Sequence, residues 1–245
     1  MQVSPGAGFP FVNGVKVISN CSLKVDGDIW PYAEKNAAEI DAHWQAATRS
    51  NPSHFNGIVY LTSGVWLSDG VLHASLVRTD FKSYLYWRMH GFPEAGVLDG
   101  FGCALIGSSD GDVMLVRQRP GNVNYGFACL PAGFIDERDV LADGTVEISL
   151  SAAREVAEEL GEVGNLLVRD EGFIIARSNA QLSFAVPFRA PMTTAEFVRL
   201  VDEHNAMCAD PELQSIVPVG SLGDIEGLPM LAYARELIEA LFAAR

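Results

Sequence analysis

The stretch that decides the fold is Arg154-Glu155-Val156-Ala157-Glu158-Glu159-Leu160-Gly161. As a helix with about 100° per residue, it gathers its charged side chains within one sector of about 140°. The residues of that sector are Arg154, Glu155, Glu158 and Glu159. The opposite side is predicted to face the core, and it carries Leu150, Ala153, Val156, Ala157 and Leu160. Gly161 stands where helices commonly end, because glycine readily adopts positive φ.

The charges of this helix do not stabilise it. Like charges three or four positions apart cost an isolated helix about 0.2–0.5 kcal/mol per pair. The helix dipole also disfavours carboxylates near the last turn. A divalent cation favours the arrangement, because Mg²⁺ takes oxygen ligands and often shares them with substrate phosphates. The alternative interpretation is an acidic face exposed to solvent.

An apolar strand that breaks into a Pro/Gly turn precedes the helix, at residues 127–136 (Phe-Ala-Cys-Leu-Pro-Ala-Gly-Phe-Ile-Asp). Strand, turn, loop and carboxylate helix together resemble the Nudix hydrolases. Their signature is Gly-x5-Glu-x7-Arg-Glu-U-x-Glu-Glu-x-Gly, where U is a bulky aliphatic residue. Gly133 matches the first glycine. The second half is matched without a gap by Arg154, Glu155, Val156, Glu158, Glu159 and Gly161.

The loop between the two halves departs from the signature. Arg154 follows Gly133 by 21 positions, which is seven more than in the signature. The first glutamate of the signature therefore has no unique counterpart. Asp139 keeps its spacing from Gly133, and Glu147 falls one residue short of its spacing from Arg154. Because that glutamate is mainly structural in the family, the departure affects the shape of the loop more than the metal site.

The resemblance implies specific roles. Glu155, Glu158 and Glu159 would bind Mg²⁺, with Mn²⁺ as a substitute, and the Gly133 carbonyl would be a further ligand. Arg154 would orient the glutamates through charge-assisted hydrogen bonds. The implied reaction is attack of water on a nucleoside diphosphate linked to a group X, giving a nucleoside monophosphate and X-phosphate.

The signature does not identify the general base. Glu158 or Glu159 could serve, and so could an acid from a later loop. Glu212 is a candidate because it precedes a predicted strand at 215–219, where some relatives place a catalytic acid. The alternative is a simple turn residue after Pro211.

The order of elements predicts an α/β (α+β) fold with two parts. Residues 96–245 are expected to form a Nudix-type α/β/α sandwich with a mixed sheet, and residues 1–95 a small α+β domain. The N-terminal part, with Ala42-His43-Trp44, Phe55 and the run 78–84 (Arg-Thr-Asp-Phe-Lys-Ser-Tyr), resembles the two-domain Nudix enzymes that cleave UDP-glucose and UDP-galactose.

Two further groups are candidates for substrate binding. Tyr84, Trp87 and Arg88 combine rings that stack on a base with a guanidinium that pairs with phosphate; the alternative is a place in the core. Arg117 and Arg119 lie on one side of a predicted strand and could hold a diphosphate; the alternative is a pair of exposed strand-end arginines.

Composition limits the partners. A net charge of −14 over 245 residues argues against nucleic acid or an anionic membrane bound through a broad basic surface. No apolar run approaches the roughly 18 residues of a membrane span. The first ten residues lack the features of a signal peptide, and no zinc-type spacing joins the four cysteines. We therefore expect a cytoplasmic protein, with a homodimer possible because partner subunits often complete base pockets.

Three functional hypotheses follow. The first is a Mg²⁺-dependent pyrophosphohydrolase of a nucleotide sugar, and UDP-sugars are the leading candidates for the substrate. The second is the same chemistry on ADP-ribose or a dinucleotide, since the Leu-Pro-Ala-Gly turn is also seen in relatives that cleave ADP-ribose. The third is a nucleotide-sensing module whose longer loop no longer supports turnover.

Overall fold

The computed structural model describes residues 13–244. Within that range the α-helices are α1 Pro31–Lys35, α2 Ala37–Ser50, α3 Phe81–Met89, α4 Ile148–Leu160, α5 Thr194–Met207 and α6 Ala232–Ala243. The strands are β1 Gly14–Ile18, β2 Asn20–Ile29, β3 Ile58–Ser68, β4 Val71–Asp80, β5 Asp99–Gly107, β6 Val113–Gln118, β7 Ala128–Cys129, β8 Ala132–Phe134, β9 Thr145–Val146, β10 Val168–Arg169, β11 Phe173–Ser178, β12 Gln181–Arg189 and β13 Leu213–Val219. The predicted irregular start and the signal-peptide prediction fall mostly or entirely on residues 1–12, outside the described residues.

The larger sheet is mixed and lies between two helices. Its strand order is β1-β11-β12-β5-β6-β13, and β12 and β5 are parallel. Three short strands pair outside this order: β10 with β12, β7 with β6, and β8 with β5. Phe101 and Gly102 on β5 point to opposite faces. The Phe101 ring packs against Tyr233 of α6 with 4.9 Å between centroids, whereas Gly102 backs onto Ile148 and Ala152 of α4. The helices therefore cover opposite faces, and the predicted mixed α/β sandwich is confirmed.

The smaller sheet has the order β3-β4-β2-β9. Its hairpin turns at Asp69 and Gly70, both with positive φ as a tight Asp-Gly turn requires. Two strands belong to one predicted domain but pair with a strand of the other. From the N-terminal part, β1 pairs with β11 of the larger sheet, and from the C-terminal part, β9 pairs with β2. The division at residues 95 and 96 stays a prediction.

Local signals explain where several elements begin and end. Asn36 divides the first helical stretch into α1 and α2. Asp80 caps α3 by accepting a hydrogen bond from the Ser83 backbone N–H at 3.1 Å, and Thr193 caps α5. The strand predicted over 127–130 shortens to β7, because the Phe127 N–H bonds within a turn, to the Asn124 carbonyl.

The inward face of α4 differs from the prediction. Val156 and Leu160 are buried as predicted, but three other residues of the predicted core face are exposed: Leu150, Ala153 and Ala157. Glu155 and Glu159 are buried in their place. The physical reason is the glycine at position 133 of β8, which leaves a space beside the helix that the Glu155 carboxylate fills. The carboxylate face of α4 therefore points toward the sheet.

No helix within residues 13–244 combines the length and the apolar character needed to cross a membrane.

Candidate active site

The centre of the site is the contact between α4 and β8. A Cβ added at Gly133 would overlap the carboxyl group of Glu155, so only a residue without a side chain permits this approach. At the other end of α4, Gly161 has φ of 58° and lies against the His204 ring. The two glycines of the signature thus fix where the helix meets the strand and where it ends.

Glu155 and Glu159 are buried acids. Burial, opposed by Arg154 and reinforced by Glu158, raises the pKa of Glu155 to about 7. Burial raises the pKa of Glu159 well above its ordinary value, and the Gln118 amide opposes this shift by donating to Glu159 Oε1 at 3.3 Å. Glu159 Oε2 is buried and has no hydrogen-bond partner among the described residues. The site therefore carries a buried acceptor that a cation or a proton would satisfy.

Arg154 braces the carboxylates. Its guanidinium lies 2.6 Å from Glu155 Oε1, 3.1 Å from Glu158 Oε2 and 3.1 Å from Asp139 Oδ2. Asp139 is buried and also accepts a hydrogen bond from Ser151. Arg154 thus links the loop to the helix, and the orienting role that the resemblance implies for it stays a prediction.

The structure distinguishes the two counterparts considered for the first glutamate of the signature. Asp139 contacts Arg154, whereas the Glu147 carboxylate accepts a hydrogen bond from Ser149 Oγ at 2.7 Å. A short 3-10 turn at Glu137–Asp139, capped by Asp136, brings Asp139 to this position. Asp139 therefore occupies the structural position beside the arginine.

A second arginine reaches the site from the long loop. Arg138 pairs with Asp136 at 2.6 Å and with Glu158 at 2.8 Å. Glu158 is consequently held between Arg138 and Arg154, and Arg154 also links it to Glu155.

These groups line a cavity of about 230 Å³. Its acidic wall includes Asp136, Glu155, Glu158 and Glu212. Burial and the nearby Glu158 and Asp210 raise the pKa of Glu212. Glu212 thus lines the same cavity as Glu155 and Glu158, while its catalytic role stays a prediction.

The N-terminal part supplies the opposite wall of the cavity. Tyr84 and Arg88 of α3 line it, with Arg88 donating to the Tyr84 hydroxyl at 3.0 Å and to the Asn124 side chain at 2.9 Å. The Tyr84 hydroxyl in turn donates to buried Asp99 at 3.1 Å. This network joins α3, β5 and the loop at 121–127 around the cavity.

Three residues predicted to bind substrate lie outside this cavity. Trp87 is buried in a cluster with Trp30 and donates its indole N–H to the Pro93 carbonyl. Arg117 and Arg119 do not line the cavity; Arg119 Nε donates to the Leu213 carbonyl at 3.1 Å. The alternation of β6 explains this, because Gln118 between them is the residue that faces the carboxylates.

Sequence reasoning missed several residues of the cavity: Asp99, Gln118, Asp136, Arg138 and Gln181. Gln118 had a detectable signal, since it alternates with the two arginines that were considered. Arg138 had none, because the position of the long loop depends on its pairing with β2.

The oxygen donors of this site are of the type that binds a hard divalent cation. Carboxylate oxygens are the ligands that Mg²⁺ prefers. Glu155 lines the cavity, and Glu159, one turn further along α4, is buried behind it. Among the described residues, no three acidic, histidine or cysteine side chains are arranged as a ready metal site.

Comparisons with known proteins place the chain beside Nudix structures. No family model matches it, and no curated protein matches it. Solved structures similar to it include the Nudix hydrolase RenU from M. smegmatis, with 14% identity, 59% of this chain and 83% of that chain covered, and a TM-score of 0.38. The MutT protein from Methanosarcina mazei Go1 has 23% identity, 60% and 94% coverage and a TM-score of 0.37.

A third similar structure is the NUDIX domain of Shewanella oneidensis NrtR complexed with ADP ribose. It has 17% identity, covers 65% of this chain and 97% of that chain, and has a TM-score of 0.37. Because identity is low in all three, the assignment of a function depends on the residues of the site.

Proposed function

We propose that the protein hydrolyses the diphosphate bond of a nucleoside diphosphate linked to a group X, with Mg²⁺ or Mn²⁺, and that UDP-sugars are the first substrates to test. The products are a nucleoside monophosphate and X-phosphate. One observation carries the proposal: Glu155 and Glu159 are both buried, one turn apart on α4, and the Glu155 carboxyl group fills the space beside Gly133. Two buried carboxylates repel each other, and a divalent cation reverses that penalty.

Residues of α4 and β8 would hold the cation: the carboxylates of Glu155, Glu158 and Glu159 and the Gly133 carbonyl. When bound, it would offset the charge of the diphosphate and lower the pKa of a coordinated water. Glu158 would have to leave Arg138 to join this set. The freed Arg138 guanidinium would then be available to a phosphate through bidentate hydrogen bonds.

Glu212 is our candidate for the proton acceptor. Its side chain lines the cavity opposite Glu158, and its raised pKa increases its affinity for a proton. In the proposed step, a water oxygen bonds to one phosphorus, the bridging P–O bond breaks, and the water proton passes to the Glu212 carboxylate. The leaving phosphate keeps the bridging oxygen.

The test is a substrate panel with Mg²⁺, read as phosphate release after coupling to a phosphatase. We expect UDP-sugar turnover by the wild type and a loss of at least about 100-fold in kcat for Glu155→Gln and Glu159→Gln. Glu147→Gln is the control, because Glu147 contacts Ser149 rather than the cavity. ADP-ribose turnover would instead support the dinucleotide alternative. Wild-type kcat in both buried-site variants would refute the metal assignment.

A second candidate function is a nucleotide-binding module without turnover. It is favoured by the ion pairs of Glu158 with Arg138 and Arg154, which occupy a carboxylate that a cation would need. It predicts that nucleotides raise the free energy of unfolding, by about 2.7 kcal/mol at a ligand concentration 100 times Kd, with no product formed from any substrate of the panel.

A further inference from the structure

A second cavity of about 520 Å³ lies beside the candidate active site. One side comes from the N-terminal part, with His54, Phe55 and Phe81, and the other from the segment around Phe134 and Arg138. Ligand pockets in proteins commonly enclose about 300–1,000 Å³. The second cavity is therefore large enough for one part of a nucleotide.

The two cavities adjoin each other. Five residues line both of them: Asn122, Val123, Phe134, Asp136 and Arg138. Arg138 is the residue among these that carries positive charge. A molecule whose phosphates lie beside Arg138 and the carboxylates of α4 would therefore place its next group in the second cavity.

The second cavity is built on aromatic rings. The His54 and Phe81 rings lie 5.7 Å apart, and Phe81 lies 5.8 Å from Phe134, measured between centroids. Phe55 at the mouth is 82% exposed, and its ring lies over Gly57, where an added Cβ would be 3.3 Å from Phe55 Cε1. A flat, exposed ring at the edge of a cavity offers a face on which a planar group stacks.

The charges of the second cavity favour a neutral group over an anionic one. Asp136 and Glu137 line it, and Arg138, its only lysine or arginine, is already paired with Asp136 and Glu158. A further phosphate or carboxylate deep in this cavity would meet like charge. A neutral heteroaromatic ring avoids that cost and gains stacking with the rings.

We propose that the second cavity binds the base of a nucleotide, with Phe55 as the stacking residue and Arg138 at the boundary to the phosphates. This inference rests on the proposed function for the position of the phosphates. It assigns the N-terminal part a direct role in recognising the ligand.

Calorimetric binding of UMP, AMP and ribose 5-phosphate tests the assignment in the full-length chain. Stacking on an aromatic side chain contributes about 1–3 kcal/mol per base. We expect the better of the two nucleotides to bind the wild type at least about 10-fold more tightly than ribose 5-phosphate, equivalent to about 1.4 kcal/mol. Phe55→Ala should abolish that preference and leave binding of ribose 5-phosphate unchanged.

Met207→Ala is the matched control, because Met207 is also 82% exposed and lies at the end of α5, away from both cavities. The melting temperatures of both variants should equal that of the wild type, since neither side chain is buried. The inference is overturned if Phe55→Ala retains the preference for the nucleotide, or if the wild type binds ribose 5-phosphate as tightly as UMP and AMP.

The inference and the proposed function fail separately. A Phe55-dependent preference for nucleotides without hydrolysis of any substrate would support the base site and refute the hydrolase. Hydrolysis with an unchanged KM in Phe55→Ala, together with an unchanged preference, would support the hydrolase and refute the base site.

Discussion

Glu155 is an acid whose surroundings favour its neutral form. Its side chain is 11% exposed, and its ion-pair partner, Arg154, is shared with Asp139 and Glu158. Desolvation therefore outweighs the ion pair, and the pKa of Glu155 rises to about 7. A group of this kind is unfavourable to the folded protein near neutral pH unless a ligand compensates for it.

The first prediction concerns pH. Because the pKa of Glu155 is higher in the folded chain, at about 7, than its ordinary 4.5, folding takes up protons between these values. The free energy of unfolding should then fall as pH rises through this window, by about 3 kcal/mol from this group. Thermal unfolding in EDTA at pH 5 and pH 8 measures the effect.

Glu155→Gln stays neutral and should lose less stability between these two pH values than the wild type does. Glu203→Gln, at an exposed position on α5, is the control and should follow the wild type. Parallel curves for the wild type and Glu155→Gln would show that Glu155 does not titrate in this window.

The second prediction concerns Gly133. A Cβ there overlaps the Glu155 carboxyl group, so Gly133→Ala should displace that side chain, cost about 1–3 kcal/mol of stability and abolish Mg²⁺-dependent turnover. Gly107→Ala on β5 is the control, because a Cβ there meets no atom within 4 Å. Chemical unfolding and the phosphate assay measure both variants, and equal behaviour would contradict the steric argument.

Among the elements, the long loop between β8 and α4 is a structured connection that contains a 3-10 turn and a short strand. Its 3-10 turn places Asp139 against Arg154, and its strand β9 pairs with β2, with Leu23 opposite Val146. The Val25 N–H also donates to the Gly144 carbonyl at 2.8 Å. The extra residues therefore anchor the loop on the smaller sheet, and this anchoring brings Arg138 to Glu158.

The third prediction compares the two acids of that loop. Asp139→Ala removes a carboxylate, 3% exposed, that pairs with Arg154 and accepts a hydrogen bond from Ser151. Because Arg154 keeps Glu155 and Glu158, we expect a cost of about 1–3 kcal/mol. Glu147→Ala removes a carboxylate that contacts Ser149 and should cost less than about 1 kcal/mol. Urea unfolding measures the free energy of unfolding of both variants and shows which acid stabilises the arginine. A larger loss of stability for Glu147→Ala than for Asp139→Ala would reverse the assignment.

At the scale of the whole molecule, the two predicted parts share structure. One hydrophobic core includes Ile18 and Leu76 from the N-terminal part and Ile106 and Phe184 from the C-terminal part. The Thr62 N–H donates to the Leu98 carbonyl at 2.9 Å, and the Tyr60 N–H to the Ile135 carbonyl at 2.9 Å. Both cavities are lined by residues from the two parts.

The fourth prediction follows from that sharing. The fragment 96–245 lacks β1 beside β11 and the partner of β9, so it should expose apolar surface and a sheet edge and should not unfold cooperatively. Circular dichroism with urea measures this. Adding the separately produced fragment 1–95 should restore cooperative unfolding. A fragment 96–245 that folds cooperatively alone would establish it as an independent domain.

Local patterns in the sequence were enough to predict α4, its end at Gly161 and the mixed α/β class, because helix ends and hydrophobic periodicity act over a few residues. The signature singled out Gly133, Arg154, Glu155, Glu158 and Glu159 as candidates, since its spacing is local on either side of the loop.

Which face of α4 is buried, and where the long loop lies, depends on contacts between distant parts of the chain. The inward face of α4 was predicted incorrectly, because apolar character suggested Leu150 and Ala153 while the space beside Gly133 takes Glu155. The partner of Arg154 and the position of Arg138 depend on the pairing of β9 with β2, more than 100 residues away in the chain. Contacts at such separations leave no periodic trace in the sequence, and they shape both cavities.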